Sequence, residues 1–412
     1  MPGQPGTTGK LFMFESSTEI VWSALIALAG GLVASSIAKA LRAGALIGIL
    51  LYIWHTILAA SFNAFVLSNM GDALDYYQRA RFDYVEPNIG TEFVAWLTSF
   101  GTSVGLTFWP ISLFYNLAGS IGLIFFYSAM REATEAVWNR TATKTLVVVC
   151  TLIPSMSFWT AGIGKDAIAF LSVGLFLWAT VDLSRRQLVA AAAALIMMSV
   201  RPHIAVLMVA AVGAGTVFVP NVRAATRFGM TALSAGIATI AVPFVLLYTG
   251  AGQFSTLKDF ITDRQEHNLG GGSSIDISGM NPALRVLSFL FRPLPNEASG
   301  FGQLASSADN LILIAITIFG LITIYRSGMI RVFRSSSITV IYALSCIIVL
   351  SQVTANLGLA AREKWMAVPA LMLVILRAWR LFKEQALAKR AAAWQPSLDQ
   401  TDVERYPADA SG

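Results

Sequence analysis

Apolar residues run along this chain in long stretches with short polar interruptions, from Ile20 to about Leu381. Stretches of about 18 or more apolar residues are the signature of helices that cross a bilayer. Read this way, the pattern predicts about eleven spans: 20–37, 45–66, 107–130, 146–160, 167–183, 188–200, 204–220, 230–249, 311–325, 339–352 and 366–381. The stretch 91–107 is apolar but contains Glu92, Gly101, Gly105 and several Ser and Thr residues, so it is expected to be a re-entrant or interfacial helix. The predicted fold class is therefore all-α, a polytopic helical membrane protein. One membrane domain covers 1–394, with long loops at about 68–107 and 250–310, followed by a disordered tail over 395–412 rich in Pro, Asp and Ser. Residues 1–19 lack the basic start and short apolar core of a cleavable signal peptide. No internal repeat is visible.

Composition agrees with the pattern. Of 412 residues, 56% are hydrophobic and 13% charged, about half the charge that a water-facing surface uses. That excludes a soluble enzyme and a disordered chain. Two cysteines, Cys150 and Cys346, both fall in apolar runs, so neither a disulfide framework nor a thiolate metal site is expected.

The charges sort by connection. Alternate connections and the C-terminal tail hold 18 of the 29 basic residues, including Lys39, Arg42, Arg131, Arg185, Arg186, Arg331 and Arg377. By the positive-inside rule these face the cytoplasm, so the N-terminus lies outside and the C-terminus inside. The net charge of +6 then reflects orientation and implies no nucleic-acid partner. The stretch 379–394 is basic and amphipathic, suited to an anionic inner leaflet.

Five polar clusters fall on the opposite, outer side. Gly71-Asp72-Ala73-Leu74-Asp75-Tyr76-Tyr77 follows a span directly. Asp72 and Asp75 share a helical face, either as a general base and orienting carboxylate or as acids suited to a helix N-terminus. Tyr76 and Tyr77 are either sugar platforms or an interfacial belt. Pro154 to Trp159 leads into Gly162-Ile163-Gly164-Lys165-Asp166, which lacks the Ser/Thr and the spacing of a nucleotide-binding loop. Lys165 would reach a lipid phosphate, with Asp166 as cap or second carboxylate; alternatively the pair closes a tight turn. Arg201, in Ser199-Val200-Arg201-Pro202-His203, interrupts some thirty apolar residues. Such an arginine is costly unless it is paired, faces a water-filled cavity or snorkels to headgroups. His203 alone says little, and mid-span His55 reads as a packed polar residue. In the longest outer loop, Pro293 and Pro295 stiffen the backbone around Arg292 and Glu297, either for an active site or for a well-packed loop. Upstream, the glycine run 270–272 reads as a hinge. Finally, Arg362-Glu363-Lys364 puts two basic residues on the side that the positive-inside rule disfavours, which points to an anionic partner.

These clusters together resemble bacterial polysaccharide-assembly membrane proteins, the O-antigen polymerase-like and GT-C-type glycosyltransferase group. The resemblance rests on Gly71-Asp72 with Tyr76, Pro154-Ser155 with Trp159 and Lys165-Asp166, Arg201-Pro202, Phe291-Arg292-Pro293 with Pro295 and Glu297, and Asn356 with Arg362 and Lys364. It implies transfer of sugars or repeat units from a polyprenyl phosphate or pyrophosphate carrier to a glycan acceptor at the outer face of the bacterial inner membrane, alongside polysaccharide-assembly proteins. It also implies that Arg201, Arg292, Arg362, Lys364 and Lys165 hold the donor phosphate and that Asp72 is the base, with Glu297 or His203 as alternatives. Tyr76, Tyr77 and Trp159 would contact sugar or lipid. The acidic pair frequent in metal-dependent members is absent, since Asp72 and Asp75 are three apart, and no cofactor or metal is indicated. A lipid-linked glycan flippase and a non-enzymatic assembly subunit are the alternatives.

Overall fold

The computed structural model describes residues 17–69, 71–220, 223–267, 273–298 and 301–393. The residues before 17, the glycine run 270–272 and the tail over 395–412 lie outside the described residues. Every regular element among the described residues is helical, and the single extended contact is an isolated antiparallel bridge between Ser274 and Asn356.

The chain passes between two ends of a helical bundle. From the first end α1 (Ser17–Ala40) runs to a tight turn at Arg42, and α2 (Ala45–Asn69) returns. Two short helices, α3 (Asp72–Phe82) and α4 (Thr91–Ser103), stay at the first end, joined by Arg79 donating to Glu92 at 2.7 Å. α5 (Phe108–Ala133) leads away, and α6 (Thr141–Thr151) and α7 (Pro154–Trp159) come back as one broken pass. The break precedes Pro154, which has no N–H to continue a helix but suits a first helical position. α8 (Lys165–Val181), α9 (Gln187–Val200), α10 (Pro202–Thr216) and α11 (Ala224–Thr249) alternate next. α12 (Leu257–His267) and α13 (Pro282–Phe291) are short elements of the long loop at the first end. α14 (Phe301–Ser327), α15 (Met329–Val353), the short α16 (Leu357–Glu363) and α17 (Val368–Ala393) complete the chain.

Among the described residues, seven helical segments are long and apolar enough to cross a membrane, or eight if the bent pair 357–366 and 368–390 forms one span. The expected count of about eleven is therefore not confirmed. The difference lies in α8, α9 and α10, whose 17, 14 and 15 residues fall below the roughly 20 that a bilayer requires. The 13-residue α4, in the stretch expected to be re-entrant or interfacial, leaves Leu97 and Phe100 exposed while burying Val94 and Ala95 against the bundle.

Close packing at the centre depends on missing side chains. A Cβ on Gly174 of α8 would stand 2.2 Å from the Gly122 carbonyl oxygen of α5, so these two backbones touch directly. The buried His55 ring is paired on both nitrogens, with Asn116 at 2.7 Å and Thr160 at 3.1 Å. This fits the reading of His55 as a packed polar residue. Both cysteines are buried and free.

Candidate functional site

The first end carries an ion-pair cluster built from four distant pieces of chain. Pro202 disfavours helix at the residue before it, and Arg201 accordingly leaves helical geometry (φ −144°, ψ 75°) at the apex between α9 and α10. From that apex its side chain turns inward and is only 8% exposed. One guanidinium nitrogen donates to Asp166 at 2.7 Å and another to Glu363 at 2.8 Å. Asp166, 7% exposed, sits in the first turn of α8. Its second oxygen accepts from Arg362 of α16 at 3.0 Å. Arg362 then reaches Asp72 in the first turn of α3, at 3.1 Å.

The charges alternate through the cluster. Arg201 and Arg362 face Asp166, Glu363 and Asp72, so each buried ion has an opposite neighbour and a hydrogen bond. Glu363 also accepts from Thr354 at 3.1 Å. Lys165 adds a further cation, with its ammonium 3.4 Å from the Thr91 hydroxyl. Tyr76 shares that threonine. Burial pushes the Tyr76 hydroxyl up to about 12, reinforced by the Asp72 and Asp166 carboxylates and opposed by Arg362. It therefore keeps its proton at any physiological pH.

A cleft opens beside this cluster. Its floor is Asp72, Asp166 and Arg362, and its aromatic wall is Phe62, Phe65 and Trp159. The Arg362 guanidinium lies 5.7 Å from the Trp159 ring centroid, within cation–π range. Gly162 lets the loop close over α2, because a Cβ there would meet the Phe62 ring at 2.1 Å. The cavity volume is about 50 Å³, room for a few waters but not for a sugar. Asp72 remains accessible, with its side chain 60% exposed.

No family model, no curated protein and no solved structure matches the chain.

Of the residues singled out from sequence, Asp72, Lys165, Asp166, Arg201, Arg362, Tyr76 and Trp159 come together at this place. Others do not. Asp75 is exposed and takes no part in the cluster. Tyr77 is buried edge-on against Phe108 at 5.6 Å and accepts from Arg81, so its ring does not line the cleft. His203 is half-buried and has no hydrogen-bond partner among the described residues. Arg292 and Glu297 pair with each other at 2.7 Å, a local clasp that holds the Glu297 carboxyl below its ordinary range. Lys364 turns away from the cleft, is 1% exposed, and bonds the Asn310 side chain.

Three residues escaped sequence reasoning. Glu363 is the second partner of Arg201, and its place inside Arg-Glu-Lys was the available signal. Asp309 accepts from the Ser155 backbone N–H at 2.6 Å, and neighbouring Asn310 links Lys364 to the Pro293 carbonyl at 2.9 Å. Together they tie α14 to α7 and to the Arg292 loop. Among the described residues no group of three His, Cys, Asp or Glu side chains is arranged to hold a metal ion.

Proposed function

We propose that the chain is an integral membrane glycosyltransferase of polysaccharide assembly, a polymerase in preference to a single-sugar transferase. It would use a polyprenyl phosphate or pyrophosphate donor at the outer face of the inner membrane. The observation that carries this reading is the convergence of Asp72, Asp166, Arg201, Arg362 and Lys165 beside an aromatic-walled cleft at one end of the bundle. Orientation follows from the positive-inside rule, which puts the Arg42, Arg131 and Arg185 end in the cytoplasm.

In this mechanism the exposed Asp72 carboxylate takes the proton of an acceptor hydroxyl. The freed oxygen attacks the anomeric carbon of the donor sugar, and the bond from that carbon to the phosphate oxygen breaks. The leaving lipid phosphate gains charge, which Arg362 and Lys165 stabilise with donors not used inside the cluster. Arg201, buried and held by two carboxylates, orients Asp166 and Glu363 and through them Arg362. Because Arg362 touches Asp72 as well as Asp166, base and anion site are set by one guanidinium.

The test is Asp72→Asn in cells that make the polymer. The amide is nearly isosteric but cannot accept the proton, so turnover should fall about 10²–10⁴-fold at normal protein level. Lipid-linked precursor should accumulate on the outer leaflet. Precursor trapped on the inner leaflet would replace this reading with a flippase, and unchanged polymer would remove Asp72 from the chemistry.

A further inference from the structure

At the end of the bundle away from the Asp166 cluster, Arg377 of α17 is as deeply buried as Arg201, at 8% exposed. Its surroundings differ. Arg201 and Arg362 each meet two carboxylates, whereas Arg377 has no carboxylate within ion-pair distance among the described residues. Its Nη1 donates to the Ser335 carbonyl at 3.3 Å and its Nη2 to the Thr180 carbonyl at 3.1 Å. Those bonds satisfy two of five donors, and the only carboxylate among the described residues acting on the charge, Glu132, lies beyond ion-pair distance and is paired with Arg186. A buried guanidinium without a contacting counter-charge is expensive, and membrane proteins normally avoid one.

Arg377 also lines a cavity of about 360 Å³, in the size range of small-molecule sites and about seven times the volume of the cleft beside Asp72. Seven hydroxyls share the lining: Thr180, Ser184, Thr216, Thr226, Ser335, Ser336 and Ser337. The last three serines lie where α15 breaks, with Ser336 at φ −139° and ψ 18°. Most of these hydroxyls donate to helix carbonyls, bonds that can be exchanged for a stronger acceptor by rotating one proton. Ser336 has only the Ser335 hydroxyl, at 3.3 Å. Asp182, the carboxylate in the lining, is engaged by Ser184 at 2.7 Å and by Arg185 at 3.5 Å.

We infer that this cavity is a second, anion-binding site for a phosphoryl group, with Arg377 supplying the missing half of an ion pair and the hydroxyls supplying neutral donors. The phosphoryl group belongs either to a soluble phosphate compound or to a lipid headgroup. The site is separate from the Asp72 cleft and does not depend on the reaction assigned there.

The experiment uses the full chain in neutral detergent and follows thermal unfolding against added inorganic pyrophosphate or dioleoyl phosphatidic acid, with sodium chloride matching ionic strength. One or both probes should stabilise the wild type saturably, beyond the chloride control. Pyrophosphate acting alone assigns a soluble ligand, and phosphatidic acid acting alone assigns a headgroup. Arg377→Gln should weaken the effective affinity about ten- to hundred-fold, the worth of a charged hydrogen bond. Thr226→Glu tests the same point at an exposed lining residue where folding is undisturbed, and its added negative charge should weaken binding at least as much. The inference is overturned if neither probe stabilises the wild type, or if Thr226→Glu binds as the wild type does.

Discussion

Arg201 and Arg362 hold different oxygens of one carboxylate, Asp166, at 2.7 and 3.0 Å. They come from the α9–α10 apex and from α16, so a single acidic side chain joins three parts of the chain. Asp166 is thereby the keystone of the cluster, and the outer members, Glu363 and Asp72, hang from its two arginines.

Asp166→Asn should therefore cost stability before it costs anything else. The amide leaves two guanidiniums short of a counter-charge, and breaking a buried pair in this way costs about 3–5 kcal/mol. Thermal unfolding of purified protein reads this directly. A loss below about 1 kcal/mol would mean that water already balances the arginines.

Arg201→Lys should behave much like Arg201→Ala. One ammonium is a compact point charge and cannot span Asp166 and Glu363 as the planar fork does. Combining Arg201→Ala with Glu363→Gln should recover part of the loss, because the orphaned carboxylate is then gone. Strictly additive losses in that double-mutant cycle would deny that the pair is coupled.

Orientation is open to single-cysteine labelling. Ser274→Cys stands at the Asp166 end and Ser184→Cys at the Arg186 end, both exposed, while native Cys150 and Cys346 are buried. An impermeant thiol reagent applied to intact cells should label position 274 and spare position 184. The reverse result would invert the bundle and move the proposed chemistry to the cytoplasm.

The Arg292–Glu297 clasp predicts a local pH dependence. Arg292 lowers the folded Glu297 carboxyl below its ordinary 4.5, so the bound form is the ionised one. The stabilisation is complete above that value and is lost as pH falls through the lower folded value. Protection from hydrogen exchange over 282–298 should be lost in the wild type as pH falls below the ordinary glutamate value. Glu297→Gln should exchange fast at every pH.

Sequence reasoning reached the cluster by three routes. A charge inside a long apolar run must have a reason, which isolated Arg201; the Gly-Lys-Asp pattern at a span boundary isolated Lys165 and Asp166, and the positive-inside rule isolated Arg362. Helical passes in alternation then bring such positions to one end. What hydropathy does not carry is which charge answers which. Glu363 and Lys364 are adjacent in sequence, yet Glu363 turns to Arg201 and Lys364 to Asn310 on another helix. Span number suffered for a related reason: α9 and α10 are apolar enough, but Arg201 and Pro202 part them early and leave both short. Arg377 read only as one more cytoplasmic-side charge, because burial within the bundle leaves no trace in local composition.

The antiparallel bridge at Ser274 has a bearing on where this chain tolerates change. Leu357 donates to the Ser273 carbonyl at 2.9 Å, Ile275 donates to the Ala355 carbonyl at 2.9 Å, and the Ser273 hydroxyl bonds the Asn356 side chain that caps α16. The far side of the long loop is thus sewn to the helix that carries Arg362. Residues inserted just upstream of Ser273 would add slack and leave the arginine where it is. The same insertion between Ser273 and Ile275 would unpick the seam, slide the cap of α16 and pull Arg362 off both of its carboxylates, though no residue of the cluster had been touched.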